Sequence, residues 1–493
     1  MISFPFLTLL LVLPLVGVGL LSLIHGPAPQ VLRNTRSVAL WTTCSTFLVF
    51  LVVWLEFDPA KSSFQLTHHI AGFGGMGINY IVGIDGISLL MLMLTTLLMP
   101  LVVLAGWDSI KKHPKMYYIA LLCMESFLIG AFVSLNALMF YVFFESILIP
   151  MFLLIGIWGG ENRIYSTFKF FLYTFVGSIV MLAAFLVIGT YVESFNIVDW
   201  SSAIEQSFFG NVGHALWWAL FIGFAIKIPM VPLHTWLPDA HVEAPATASM
   251  VLAGVLLKLG GYAMIRFHLL AFPALSAHYF PVVAGLSIVA IVYASLLAWA
   301  QSDMKKLVAY SSVAHMGYVT LGIYSQSALG LKGAVIQMIS HGVVSAGLFY
   351  VVDMLYRRTH TRDIRQYGGA VAVVPKLSVL AFIFILGLIS LPATSGFVGE
   401  IMVTMSVFKI SFVYGVLTTT GIILAPIYGL GLYKKVFLGV TSETIMKIKD
   451  ITIKEFSICT VLIIMIGWIG VYPNNFLRVL DATVQRIVGG LVA

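Results

Sequence analysis

Charged side chains are scarce in this chain of 493 residues. They make up 10% of it, whereas 60% is hydrophobic and the mean hydropathy is +1.02; a soluble domain carries about 25% charge. That balance excludes an ordinary soluble protein and leaves an all-α polytopic membrane protein. Cysteine is nearly absent. Cys44, Cys123 and Cys459 lie far apart, each inside an apolar run, so disulfide and metal-ligand spacings are excluded and buried thiols are expected. No GxxxxGK[ST] occurs, no GxGxxG follows a strand and opens a helix, and no cysteine cluster can hold iron and sulfur. Any redox or nucleotide chemistry must therefore belong to a partner. The net charge of +7 would suggest nucleic acid for a soluble chain, but across membrane loops it sets orientation instead, and no nucleic-acid partner is expected.

What is present is a succession of apolar runs. Taking about 20 residues per crossing, about fourteen spans are expected, the first being Ile2 to Ile24, which lacks a charged leader and a small-residue cleavage site and is read as a retained helix. Most of the 27 Lys and Arg then fall in one set of loops, including Arg33, Lys111, Lys112, Lys305, Lys306, Arg357, Arg358, Lys434 and Lys435. The other set holds Lys61, Arg266, Lys332, Lys409, Arg478 and Arg486. This asymmetry puts both termini on the outer face. The longest outer connections are Glu56 to Ile84 and Val192 to Gly213; within the first, GFGGMG (Gly72 to Gly77) reads as a flexible turn, since no strand precedes it.

One run is interrupted. GFAIKIPMVPLHTWLPD, from Gly223 to Asp239, carries Lys227 and then Pro229, Pro232 and Pro238. Each proline lacks an N–H and displaces the carbonyl four residues back, so the ladder loses order near Ala225, Ile228 and His234. Broken backbone at membrane depth survives where it is buried in protein or lines a wet cavity, and a charge there marks a site. Helix starts near 117, 135, 165 and 214 recur near 280, 303, 330 and 376, an offset of roughly 160 to 170 residues, which predicts two inverted five-helix repeats. The counterpart of the broken Lys227 helix contains LPATSGFVGE, Leu391 to Glu400, where Pro392 disturbs the Leu388 carbonyl and Gly396 and Gly399 soften the turn before Glu400. The expected organisation is residues 1–116 as three N-terminal spans, 117–270 as the first repeat, 280–440 as the inverted second, and 441–493 as a last span and tail.

Ionisable residues sit at one depth. Glu145, Lys227, Lys258, His315 and His341 each lie near the middle of a predicted span, and a charge there costs about 2.5 to 3.5 kcal/mol on insertion scales. They are expected to be paired or hydrated, forming a polar line in the membrane plane. These residue types suit proton relay: burial and a neighbouring carboxylate pull a lysine in opposite directions, and histidine titrates near neutrality. The expected order runs from the Glu145 and Lys227 pair through Lys258 and His315 or His341 to Glu400. Glu125 and Asp353 read equally as relay members or as interface and helix-end residues, and Asp239 and His241 as structural groups ahead of Pro245.

FYVFFESILIP (140 to 150), GFAIKIPMVPLHTWLPDAHVEAPATASMVLAGVLLKLGGYAMIRF (223 to 267) and YSSVAHMGY (310 to 318) closely resemble the antiporter-like membrane subunits of respiratory complex I, best the bacterial subunit M type, equivalent to mitochondrial subunit 4. The resemblance runs from about residue 80 to 440. It implies fourteen helices with two inverted five-helix units and proton pumping along a hydrated axis: Glu145 and Lys227 as the ion-paired switch, Lys258 as the central relay, His315 and His341 as connecting histidines, Glu400 as the terminal group. The glutamate at that last place, where sister subunits carry lysine, supports the M type. It further implies a bacterial inner membrane, related antiporter-like subunits on either side, interfacial lipid, and an NADH:quinone oxidoreductase whose FMN, iron–sulfur clusters and quinone reside in partner subunits, with no cofactor in this chain. A subunit of a multi-subunit sodium/proton antiporter is the alternative, disfavoured by HVEAP followed by LLKLGGY; a purely structural scaffold is another.

Overall fold

A computed structural model of the chain describes residues 5–70, 79–203 and 210–492. Among them, ten helices are long and apolar enough to cross a membrane, and shorter apolar helices, including Phe6–Ser22 and Pro375–Leu388, add to these. Apolar runs become helices because a lipid-facing backbone must satisfy its own polar groups. Polar residues set where they start: Asn136 accepts from the N–H groups of Leu138 and Met139, both at 3.1 Å, and Asp303 accepts from Lys305 at 2.7 Å and Lys306 at 3.0 Å.

The interruptions fall where proline predicts them. Gly210–Lys227 stops at the lysine and helix resumes at Trp236–Glu243. Likewise Pro375–Leu388 stops before Ser395–Ile410 begins. Gly396 and Gly399 lie inside this second helix, so they do not form the turn before Glu400. A Cβ on Gly399 would stand 2.7 Å from Gln337 Oε1 and 2.8 Å from its Cα, so the glycine serves close helix packing instead. Pro150, by its missing N–H, leaves only a local irregularity after Ser146, beside Glu145; Ile147 keeps helical dihedrals and Ala137–Trp158 forms one span. The long connection from Glu56 to Ile84 contains an unexpected hairpin, β1 (Gln65–Ile70) antiparallel to β2 (Tyr80–Ile84), with His68 opposite Val82 and Ile70 opposite Tyr80. The Gly72 to Gly77 stretch lies outside the described residues.

Contacts divide the chain into two compact units, one of Met1–Ile228, Val255–Tyr279 and Arg478–Ala493, the other of Pro229–Gly254 and Phe280–Leu477. In the first, Pro114–Val133 packs against Phe6–Ser22, Ala28–Glu56 and Gly86–Ala105. Arg163–Val192 crosses Gly210–Lys227 at two glycines: a Cβ on Gly223 would come within 2.9 Å of the Gly177 carbonyl oxygen, an approach that small residues permit in membrane helices. In the second, Met304–Tyr324, Ala328–Thr359 and Ser395–Ile410 pack mutually.

The first unit is closed by its last helix, Asn474–Val492. Asp85 caps Gly86–Ala105 through the N–H groups of Ile87 and Ser88 at 3.1 and 3.2 Å, forms an ion pair with Arg266, and takes Arg486 of the last helix at 3.1 Å. Thr483 accepts from the Gly86 N–H at 3.0 Å. Phe64 lies under both guanidinium groups, 5.4 Å from Arg266 and 4.6 Å from Arg486. Burial alone would push the Asp85 carboxyl up, but the charge of Arg266 and its hydrogen bond, then Arg486, outweigh it and hold the group below the ordinary 3.8.

Two outcomes follow from this cluster. Asp85→Asn strands Arg266 as a buried cation without its countercharge, a loss of about 3 to 5 kcal/mol, and is expected to lower the thermal midpoint and the amount of folded chain recovered from membranes. Because the carboxyl titrates below 3.8 when folded, its stabilisation is complete above that pH and disappears only as pH falls through the folded value. Protease cleavage of the Asn474–Val492 helix is therefore expected to stay constant between about pH 5 and about pH 9 and to rise only in stronger acid.

Candidate functional site

In the first unit the Gly177–Gly223 crossing sets the geometry around Lys227. Ser178, next to Gly177, donates to a Glu145 carboxylate oxygen and also to the Phe175 carbonyl at 2.9 Å. Lys227 is 1% exposed, and its Nζ lies 4.6 Å from the Phe144 ring centroid. The ammonium makes no hydrogen bond among the described residues, but the Glu145 charge acts on it. The two expected switch residues are thus neighbours, with Ser178 holding the carboxylate and the Phe144 ring face receiving the lysine. A cation over a ring keeps part of its stabilisation without a fixed salt bridge.

Lys258 is fully buried on the span Ala246–Leu269, one of two whose apolar windows are 100% buried. Its helical segment Leu257–Ala263 lies between two π-helical turns, Leu252–Leu256 and Met264–Leu269. Such turns concentrate at functional positions because they rotate the residues that follow. The segment is anchored by Tyr262, whose hydroxyl donates to the Phe132 carbonyl at 2.9 Å and contacts Ser88 Oγ at 3.0 Å, and by Arg266 on Asp85. Gly260 brings it against the end of the Lys227 helix: a Cβ there would sit 2.8 Å from the Ile228 nitrogen.

The second unit gathers the remaining candidates. His315 Nδ1 lies 2.8 Å from Glu400 Oε1, and Gln337 Nε2 donates to the same oxygen at 2.9 Å. His341 stands beside His315, ring centroids 5.7 Å apart. Gln337 and His341 share Ala328–Thr359, the other wholly buried span. With Glu400 ionised, His315 donates through Nδ1; with Glu400 protonated, the carboxyl donates to Nδ1. The same contact serves both states, so a proton can pass between the two groups without either moving far. Gln337, an uncharged donor, keeps the carboxyl aimed at the imidazole in the first state.

Asp353 pairs with Arg357 at 2.8 Å near the end of its helix. Glu125 is fully buried on Pro114–Val133. Asp239 and His241 lie within Trp236–Glu243, with the His241 ring stacked on Phe349 at 4.4 Å. Reasoning from charge and depth missed Gln337, Ser178, Asp85 and Arg486. Gln337 had a usable signal, standing four residues before His341 and so on the same helix face. Ser178 had none, since buried hydroxyls usually bond their own helix. Asp85, immediately ahead of a long apolar run, carried the signature of a helix cap.

Comparison with known proteins fits this architecture. Residues 134–425 match the family described as NADH:quinone oxidoreductase/Mrp antiporter, and residues 35–133 match the amino terminus of NADH-ubiquinone oxidoreductase chain 4. The chain is 43% identical to NADH-quinone oxidoreductase subunit M of Rickettsia bellii over 99% of both chains. It is 44% identical to that of Rhodobacter capsulatus over 98% of this chain and 96% of the relative. A chain in respiratory complex I from Thermus thermophilus superposes with a TM-score of 0.89 at 29% identity, covering 98% of this chain and 99% of that one. A chain of the Mrp complex from Dietzia shares the fold, with a TM-score of 0.83 at 19% identity over 100% of both. The chain belongs to the NADH-quinone oxidoreductase subunit M family, the chain 4 membrane subunits of complex I.

Proposed function

We propose that this chain is the proton-translocating membrane subunit of an NADH:quinone oxidoreductase, moving protons through a relay of Glu145, Lys227, Lys258, His315, His341 and Glu400 while NADH oxidation and quinone reduction proceed elsewhere in the complex. The observation that carries this reading is the His315–Gln337–Glu400 cluster: an imidazole and a carboxyl in direct hydrogen-bond contact on buried helices, beyond a helix break. In the first unit Glu145 and Lys227 are held close without a fixed salt bridge, which suits a pair that changes its proton affinity as its spacing changes. Lys258, between π-helical turns, is the intermediate station.

In this reading the chain crosses a bacterial inner membrane about fourteen times, as two inverted five-helix repeats with both termini outside. Related antiporter-like subunits flank it, and lipid fills the remaining interface. FMN, the iron–sulfur clusters and quinone belong to partner subunits. The amino-terminal chain 4 match and the relatives at 43 and 44% identity favour this assembly over a sodium/proton antiporter.

Lys227→Ala and Glu145→Ala, tested in membranes holding the assembled complex, are expected to lower NADH-driven proton pumping at least roughly tenfold, the scale of losing a proton-transfer group. Full pumping by both variants in an intact complex defeats the relay, and full loss of assembly in both supports a scaffold. Gln337→Leu removes the amide donor from Glu400 and is expected to reduce pumping by roughly tenfold, the worth of a hydrogen bond to a charged group, with assembly retained on native gels.

A further inference from the structure

Two buried hydroxyls lie one turn apart on Arg163–Val192, and they are placed differently. Thr174 gives its hydroxyl to its own helix, at the Phe170 and Phe171 carbonyls, 2.8 and 3.2 Å away. Ser178 also has an own-helix acceptor, the Phe175 carbonyl at 2.9 Å, but a second one stands on another helix, a Glu145 carboxylate oxygen. The serine is 1% exposed. A hydroxyl carries one hydrogen and two lone pairs, so it gives a full hydrogen bond to only one of these acceptors at a time. Its backbone is held in place: the Ala137–Trp158 span packs on Arg163–Val192, and Gly177, the preceding residue, sits in the close crossing with Gly223. Around the Glu145 carboxyl stand the Ser178 hydroxyl, the Lys227 charge and, one turn back on the same helix, the Tyr141 phenol. Lys227 lies over the Phe144 ring, so the direct donor to the carboxylate is Ser178.

We propose that Ser178 is a two-position hydroxyl switch for Glu145, a positioning residue that satisfies the carboxyl in both of its protonation states. The proposal rests on the reading of Glu145 as a relay member. With Glu145 ionised, the Ser178 O–H points at the carboxylate oxygen. When Glu145 takes a proton, its own O–H becomes the donor and points at a lone pair of Ser178 Oγ, while the serine hydrogen turns about the Cβ–Oγ bond to the Phe175 carbonyl. Loss of the proton reverses the turn. The proton that Glu145 gains or loses comes from a relay neighbour, and the hydrogen of Ser178 stays on its own oxygen throughout. No heavy atom changes place and every hydrogen keeps an acceptor. Neither state strands a buried polar group, and it is the penalty for doing so that otherwise holds such a carboxyl in a single state.

The test compares Ser178→Ala, Ser178→Cys and Thr174→Val with Glu145→Ala, each in membranes holding the whole complex. Ser178→Ala takes from the carboxylate a hydrogen bond to a charged group and is expected to lower NADH-driven pumping about tenfold, with assembly retained on native gels. The thiol of Ser178→Cys, a weak donor and a weak acceptor, is expected to give an intermediate rate. Thr174→Val removes a hydroxyl whose acceptors both lie on its own helix and is expected to pump as the wild type does. In infrared spectra, the carboxyl band that Glu145→Gln removes is expected to move in Ser178→Ala and to stay in place in Thr174→Val. Wild-type pumping by Ser178→Ala, beside its loss in Glu145→Ala, overturns the switch and leaves the relay standing; wild-type pumping by both overturns the relay and the switch with it. An unmoved band, or an equal loss of pumping in Thr174→Val, overturns the switch alone. Should Ser178→Ala fail to assemble, Ser178→Cys decides: an intermediate rate with a displaced band supports the switch, and wild-type pumping overturns it.

Discussion

A charge buried inside the protein has to be compensated there, and the fold answers that demand in three ways. Asp85 meets it with full pairing: two guanidinium groups and two backbone donors surround one carboxylate. Lys227 meets it in part, through a ring face and a nearby carboxylate. Glu400 meets it with two neighbours, the His315 imidazole and the Gln337 amide, both on one carboxyl oxygen. Full pairing fixes structure, whereas partial pairing leaves a group able to change its proton occupancy. The distribution of these solutions separates what holds the chain together from what moves protons in the proposed mechanism.

The two kinds of site meet on one helix. Ala246–Leu269 carries Lys258 in its middle and Arg266 in its second π-helical turn. Arg266 ties that end to Asp85 and, through Asp85, to the last helix of the chain. Tyr262, one turn after Lys258, adds its bonds to Phe132 and Ser88. In the proposed relay such anchoring would serve Lys258, because proton transfer requires donor and acceptor within hydrogen-bond reach.

Much of this was legible without coordinates. Proline placed the breaks at Lys227 and ahead of Glu400, because a missing N–H acts locally whatever surrounds it. Depth within each apolar run picked out His315 and His341, and the second helix break picked out Glu400; the structure brings the three together. Other features were hidden. The β1–β2 hairpin occupies a polar connection whose short strands give little periodic signal. Gly396 and Gly399 looked like turn residues because glycine serves turns and close packing equally, and the sequence does not distinguish the two uses. Arg266 was counted among outer loop charges, yet it is buried in a span, where Asp85 neutralises it.

By itself, the sequence determined the membrane class, the helical breaks and the set of ionisable residues at mid-depth, since hydropathy, proline and span length are properties of contiguous segments. Tertiary structure alone decided the partners. Ser178 reaches Glu145 because Gly177 and Gly223 let two helices cross closely, Gln337 reaches Glu400 because Gly399 leaves room, and Arg486 reaches a carboxylate some 400 residues earlier. Such pairings depend on distances between segments remote in the chain, which no local pattern encodes.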